Sequence, residues 1–278
     1  MGGAPATKAA RLVAAHEAVE VAGPGRRFVS RGGEKLEAAL AGFALDVQGL
    51  AALDVGSSTG GFTDCLLQHG ARRVTALDVG RHQLHERLRE DPRVAVHERT
   101  DIRSVDVATL GGPFPIVVAD VSFISLHAVL DALLALAVPG GDLVLLVKPQ
   151  FEAGRVEVSR GKGVIADPAV WRSVLLEVSS ALAGRRAAIM GAMVSPLTGA
   201  EGNVEFLVHA RAPGGGDGGA VPAGLDPDLL VAAALGGRAD RRGRGPSGPP
   251  AEPPSAADDG ESYLPRALSV EPLSVTAR

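Results

Sequence analysis

Between Phe28 and Arg211, short runs of Val, Leu, Ile and Ala alternate with longer segments that keep their apolar residues on one helical face. Few architectures accept that alternation. A run that is apolar at every position suits a strand buried on both faces, and such strands belong to parallel sheets covered by helices. The runs predict strands over residues 51–55, 73–79, 94–99, 116–121, 142–148, 187–194 and 204–211. The helices between them have readable ends. Gly70 closes a helix over 62–69, and Ser125 caps one over 126–137 that stops at Pro139-Gly140-Gly141. Asp167 caps, and Pro168 opens, a helix reaching about residue 182. Repeated strand–helix units imply a doubly wound α/β sheet. The last two strands are joined only through Ser195-Pro196-Leu197-Thr198-Gly199 and its neighbours. A parallel crossover needs roughly a dozen residues or more, so the seventh strand is expected to run antiparallel.

Composition divides the 278 residues into three zones. Residues 1–27 have little pattern beyond a candidate strand at 18–22, residues 28–212 carry the strand–helix units, and residues 213–278 are rich in Gly, Pro and Ala. That last zone cannot bury enough apolar surface to offset its ordering entropy, so it is expected to be mostly disordered, apart from a short helix near 226–235. A net charge of −4 does not favour a nucleic-acid binder. The single cysteine, Cys65, excludes an intramolecular disulfide and fits a reducing compartment. No apolar run approaches the roughly 18 residues of a membrane span and no leader-like segment opens the sequence, so a cytoplasmic location is expected. The seven histidines are scattered without metal-ligand spacing, and no metal is expected.

The first strand ends in Asp54-Val55-Gly56-Ser57-Ser58-Thr59-Gly60-Gly61-Phe62 and passes directly into a helix. Glycines at such a junction permit a tight turn and let a ligand approach the backbone. The spacing is not the G-x-G-x-x-G of dinucleotide sites. D-x-G-x-x-x-G-G-F instead resembles the first motif of S-adenosylmethionine-dependent methyltransferases. Gly56, Ser57, Ser58, Thr59, Gly60, Gly61 and Phe62 are then expected around the cofactor, with Asp54 orienting the turn or meeting the methionine ammonium. Asp78 ends the second strand, where an acidic side chain accepts hydrogen bonds from ribose hydroxyls; a solvated strand-end carboxylate is the plainer reading. Asp101 follows the third strand, either to accept from the adenine amino group or to cap the next helical turn.

Charged residues at the ends of buried strands are costly unless paired. Asp120 follows Ile116-Val117-Val118-Ala119, Lys148 follows Leu143-Val144-Leu145-Leu146-Val147, and Glu205 lies in the apolar run Val204–Arg211 read as the last strand. Lys35 begins a helix after Ser30-Arg31-Gly32-Gly33. Carboxyl ends of parallel strands face the ligand crevice, and an antiparallel last strand entering from that edge adds Glu205 to it. Two lysines and two carboxylates neutralise one another while each lysine lowers the other's pKa. Such a set can deprotonate an alcohol, with one lysine as base. The alternative is a salt-bridge network that merely closes the sheet edge.

The runs Phe28-Val29-Ser30-Arg31-Gly32-Gly33-Glu34-Lys35-Leu36, Ala119-Asp120-Val121-Ser122-Phe123-Ile124-Ser125-Leu126 and Val147-Lys148-Pro149-Gln150-Phe151-Glu152 resemble the TlyA family, as do the Gly-rich turn, Ser195-Pro196 and Gly202-Asn203-Val204-Glu205. That family comprises haemolysin-A-like ribosomal RNA 2′-O-methyltransferases related to FtsJ, and the resemblance spans about residues 26–211. It implies a Rossmann-like methyltransferase fold with a seven-stranded, mostly parallel sheet whose last strand is antiparallel. It implies S-adenosylmethionine as cofactor and ribosomal RNA or a ribosomal subunit as partner. It also implies a Lys-Asp-Lys-Glu tetrad of Lys35, Asp120, Lys148 and Glu205. Lys148 would be the base, Asp120 its charge partner, and Lys35 and Glu205 would position the ribose. Family members carry an S4-like RNA-binding domain at the N-terminus, of which residues 1–27 match only the last part. Lys8, Arg11, Arg26, Arg27 and Arg31 are the basic candidates near the site. A small-molecule methyltransferase derived from the same family is the first alternative. A haemolysin is the second, though no spanning segment or long basic amphipathic helix supports it.

Overall fold

Seven strands, β1 (Ala51–Val55), β2 (Arg73–Leu77), β3 (Val94–His97), β4 (Phe114–Ala119), β5 (Ala137–Val147), β6 (Ala188–Val194) and β7 (Phe206–Arg211), form one sheet. Their spatial order is β3-β2-β1-β4-β5-β7-β6 in this computed structural model, which describes residues 26–154, 161, 163–214 and 224–243. The candidate strand at 18–22, Lys8, Arg11 and most of the Gly/Pro-rich zone lie outside those residues. Strands β1 to β5 pair in parallel, whereas β7 runs antiparallel to both β5 and β6. The hairpin expected from the short 195–203 connection is therefore present.

Strand residues alternate between two apolar layers, as the two-residue period of a strand requires. Leu143, Leu145 and Val147 face the layer built on α5 (Leu126–Leu136) and α7 (Pro168–Gly184), with Leu130, Trp171 and Val178 at its centre. Val144 and Leu146 face the opposite layer, where α1 (Gly32–Gly42) and α2 (Gly61–Gln68) contribute Leu36, Leu40 and Leu66. Shorter helices α3 (Glu86–Arg89), α4 (Val107–Leu110) and α6 (Pro149–Glu152) complete the crossovers. Capping follows the sequence: Ser125 Oγ accepts from His127 N, and Asp167 Oδ1 accepts from Ala169 N.

Three expectations need correction. Pro139-Gly140-Gly141 does not separate helix from strand: α5 ends at Leu136 and β5 already begins at Ala137. The register moves from Phe114↔Ala137 to Ile116↔Asp142, so the Pro-Gly-Gly stretch bulges out of the ladder. Gly140 N donates to Ala212 O, and Ala212 N donates to Gly141 O, which holds that bulge to the chain leaving β7. Glu205 and Asp120 sit one residue outside their strands rather than within them. Finally, α8 (Pro227–Gly243) is longer than the short helix expected near 226–235 and buries Leu230 and Ala234 against the α5/α7 layer. Its Asp228 pairs with Arg172 of α7 at 2.8 Å.

Candidate active site

The ends of β1 and β4 part at the switch point of the sheet, where open α/β folds bind ligands. Gly56 leaves β1 with φ 80°, and a Cβ there would lie 2.5 Å from Asp120 O. Any larger residue would push the two loops apart. Gly56 N and Ser57 N both donate to Leu77 O, and Asp120 N donates to Val55 O, so the turn is pinned between neighbouring strands. A Cβ on Gly61 would meet Gly33 N at 2.8 Å, which shows how closely the start of α1 lies against the Gly-rich turn. That approach carries Lys35 to the sheet edge.

Val147 pairs with Phe206, so the parallel strand and its antiparallel neighbour discharge Lys148 and Glu205 at the same edge. The Lys35 ammonium is bonded to the Glu205 carboxylate, and Lys148 Nζ lies 2.5 Å from Asp120 Oδ1. Lys148 Nζ also donates to Ser122 Oγ at 2.7 Å. Lys35, Lys148 and Glu205 are buried, and Asp120 is partly exposed. Burial raises the Glu205 carboxyl above its ordinary range, opposed first by the charge of Lys35, then by its hydrogen bond and by the charge of Lys148. Two compensated pairs side by side offset much of the cost of taking their charges out of water.

Two cavities meet at this patch. One, of about 440 Å³, is lined by Ser30, Arg31, Lys35, Ser57, Thr59, Gly61, Phe62 and Lys148. The other, of about 530 Å³, is an apolar slot walled by Leu77, Val79, Ile102, Val121, Phe123 and Ile124, with Asp78 and Asp101 in its lining. Gly56, Ser58, Asp120 and Ser122 line both. A slot of this size and chemistry fits a flat base and a ribose. The extended cavity and the glycine cradle at Gly56 together fit a cofactor with a nucleoside at one end and an amino acid at the other, whereas Asp54 lies beneath the turn and lines neither cavity.

The individual carboxylates are held as follows. Asp54 is fully buried; Oδ2 accepts from Thr63 Oγ1 at 2.6 Å and Oδ1 has no hydrogen-bond partner among the described residues. Burial pushes its pKa up to about 7. Asp78 accepts from Ser58 N at 2.8 Å and Gly80 N at 2.7 Å, and each oxygen keeps a lone pair for a further donor. Asp101 caps the turn Ile102–Ser104 through Arg103 N, and the Arg103 guanidinium holds its carboxyl down at about 2. Gly60 lines neither cavity and serves as the left-handed N-cap of α2. Cys65 is buried in α2, and burial raises its thiol. No group of metal-ligating side chains occurs among the described residues.

Sequence reasoning assigned no role to Ser122, Phe123, Phe151 or Glu152. Phe123 is 92 % exposed and has φ 63°, a left-handed backbone that costs an ordinary residue on the order of 1–2 kcal/mol. Its ring lies 5.2 Å from that of Phe151. The only available signal was membership of the Asp120–Leu126 and Lys148–Glu152 runs; nothing about a phenylalanine announces positive φ.

The FtsJ-like methyltransferase family model matches residues 28–212. The chain is 49% identical over 194 residues to Bacillus subtilis YqxC, named an rRNA methyltransferase, covering 69% of both chains. It is 46% identical over 210 residues to the 16S/23S rRNA (cytidine-2′-O)-methyltransferase TlyA of Mycobacterium tuberculosis, covering 75% of this chain and 78% of that one. A crystal structure from Lactococcus lactis, named as a hemolysin, superposes with a TM-score of 0.70 at 41% identity, over 75% of this chain and 99% of the other.

Proposed function

This chain belongs to the FtsJ-like methyltransferase family, and on that premise we propose that it methylates a ribose 2′-hydroxyl of ribosomal RNA using S-adenosylmethionine. The observation that carries this reading is the pair of ion pairs, Lys35–Glu205 and Lys148–Asp120, set where the two cavities join. The names of the YqxC and TlyA relatives add the substrate class.

The apolar slot would hold the adenosine, with Asp78 accepting from its ribose hydroxyls and Asp101 near the base, while Asp54, buried beneath the turn and bonded to Thr63, would orient the turn. S-adenosylmethionine, when bound, supplies an electrophilic methyl group. The chain's own residues supply everything the acceptor needs. A ribose hydroxyl is a weak acid, so its attack requires a base at the oxygen. Lys148 Nζ in its neutral form takes the hydroxyl proton, and the Asp120 carboxylate stabilises the ammonium that results. Lys35, held by Glu205, orients the acceptor oxygen and stabilises its developing negative charge. Arg31, in the wall of the acceptor cavity, suits a phosphate, and exposed Phe123 suits stacking on a base. Among the described residues no helix is long and apolar enough to cross a membrane.

The reading is tested with purified chain, tritiated S-adenosylmethionine, and either ribosomal subunits or a metabolite extract. Label recovered in RNA as 2′-O-methylnucleoside after nuclease digestion is expected. Label confined to small molecules would replace RNA with a metabolite as substrate, and label in neither would remove the catalytic assignment.

A further inference from the structure

The segment after β4 and the segment after β5 are fastened to each other beyond the Lys148–Asp120 pair. Glu152 Oε1 accepts from Leu126 N at 2.8 Å, and Glu152 Oε2 accepts from Ser125 Oγ at 2.5 Å. Ser125 Oγ in turn accepts from His127 N. A carboxylate from α6 therefore completes the N-terminal cap of α5, a role normally filled by a residue of the helix itself. Between this clasp and Asp120 lie only residues 121–124, which include left-handed Phe123 and the Ser122 that touches Lys148. Phe151, the neighbour of Glu152, supplies the ring against Phe123.

A four-residue turn held at both ends has little freedom, and an aromatic ring in an unfavourable backbone region stays there only if its surroundings impose it. We propose that Glu152 is a positioning residue for acceptor binding: by clasping Ser125 and Leu126 to α6, it fixes the 121–124 turn and holds Phe123 at the mouth of the active site. Burial pushes the Glu152 carboxyl above its ordinary range, and the Leu126 and Ser125 hydrogen bonds pull it back. The clasp rests on the acceptor reading given above only in what Phe123 touches.

The experiment uses the full chain. Glu152→Ala should raise KM for the RNA acceptor about tenfold with a smaller loss in kcat, because positioning rather than chemistry is lost, and cofactor affinity should fall less than acceptor affinity, since Val121, Phe123 and Ile124 also wall the neighbouring slot. Glu152→Gln, which keeps an acceptor for Leu126 N and a polar partner for Ser125, should recover most of that loss. Phe123→Ala should raise KM similarly, and the double variant should be no worse than Phe123→Ala alone. Independently of any acceptor, Glu152→Ala should speed deuterium uptake in residues 120–126 and leave residues 54–62 unchanged. Unaltered KM with active wild type, multiplicative effects in the double variant, or unchanged uptake in 120–126 would each overturn the clasp. If the wild type labels no RNA, the acceptor reading falls, and the uptake measurement still judges the clasp.

Discussion

The Lys35 ammonium bonds to the Glu205 carboxylate across 170 positions of sequence, joining the first turns of α1 to the entrance of β7. Both groups are buried, so removing one strands the other. Lys35→Met should destabilise the fold by about 3–5 kcal/mol, and adding Glu205→Gln should restore part of that loss while leaving the enzyme inactive. Urea unfolding of the two variants checks this; equal stability of the single variant and wild type would show that Glu205 finds another partner.

Lys148→Ala should lower turnover by about 10²–10⁴-fold, the usual contribution of a general base, while cofactor affinity stays nearly constant. Single-turnover assays beside calorimetric titration separate the two effects. Substantial residual turnover would move the base role elsewhere.

Asp78→Ala is expected to act the opposite way. It removes the acceptor for Ser58 N and Gly80 N and, on the function proposed above, for the cofactor ribose. Cofactor binding should weaken by roughly 1.5–3 kcal/mol, the range for hydrogen bonds to a charged group. Unchanged calorimetric affinity would reduce Asp78 to a brace for the turn.

Asp54 links the turn after β1 to pH. Burial raises its carboxyl from 3.8 to about 7, so between those values the folded chain keeps a proton that the unfolded chain releases. Its contribution is complete below pH 3.8 and is lost as pH rises through about 7. Relative to Asp54→Asn, the wild type should therefore lose stability on the order of a few kcal/mol across that window. Denaturation midpoints measured from pH 4 to 8 test it, and parallel profiles for the two proteins would refute it.

The strands and the antiparallel hairpin were legible because apolar runs and a short connection leave few alternatives. The four ionisable residues stood out for the same reason, since charge beside an apolar run demands compensation. The Pro139-Gly140-Gly141 bulge was not legible: its partner, the chain around Ala212, is remote in sequence and only tertiary pairing reveals it. Asp101 stayed ambiguous because one short side chain serves equally as a cap and as an acceptor, and here it caps while lining the slot. Phe123 and Glu152 escaped notice because their significance lies in a backbone angle and in a hydrogen bond between separate crossovers.

The place of β7 between β5 and β6 also fixes the order in which the site can be assembled. Strand β6 is made before β7 yet cannot reach β5 without it, so the growing chain waits with the β5 edge unpaired until residues 206–211 arrive. Those same residues bring Glu205 into line with Val147 and Lys148. Closure of the sheet and neutralisation of Lys35 thus depend on the same short segment, residues 205–211. A chain halted before β7 would keep an open β5 edge and a Lys35 without its Glu205 partner.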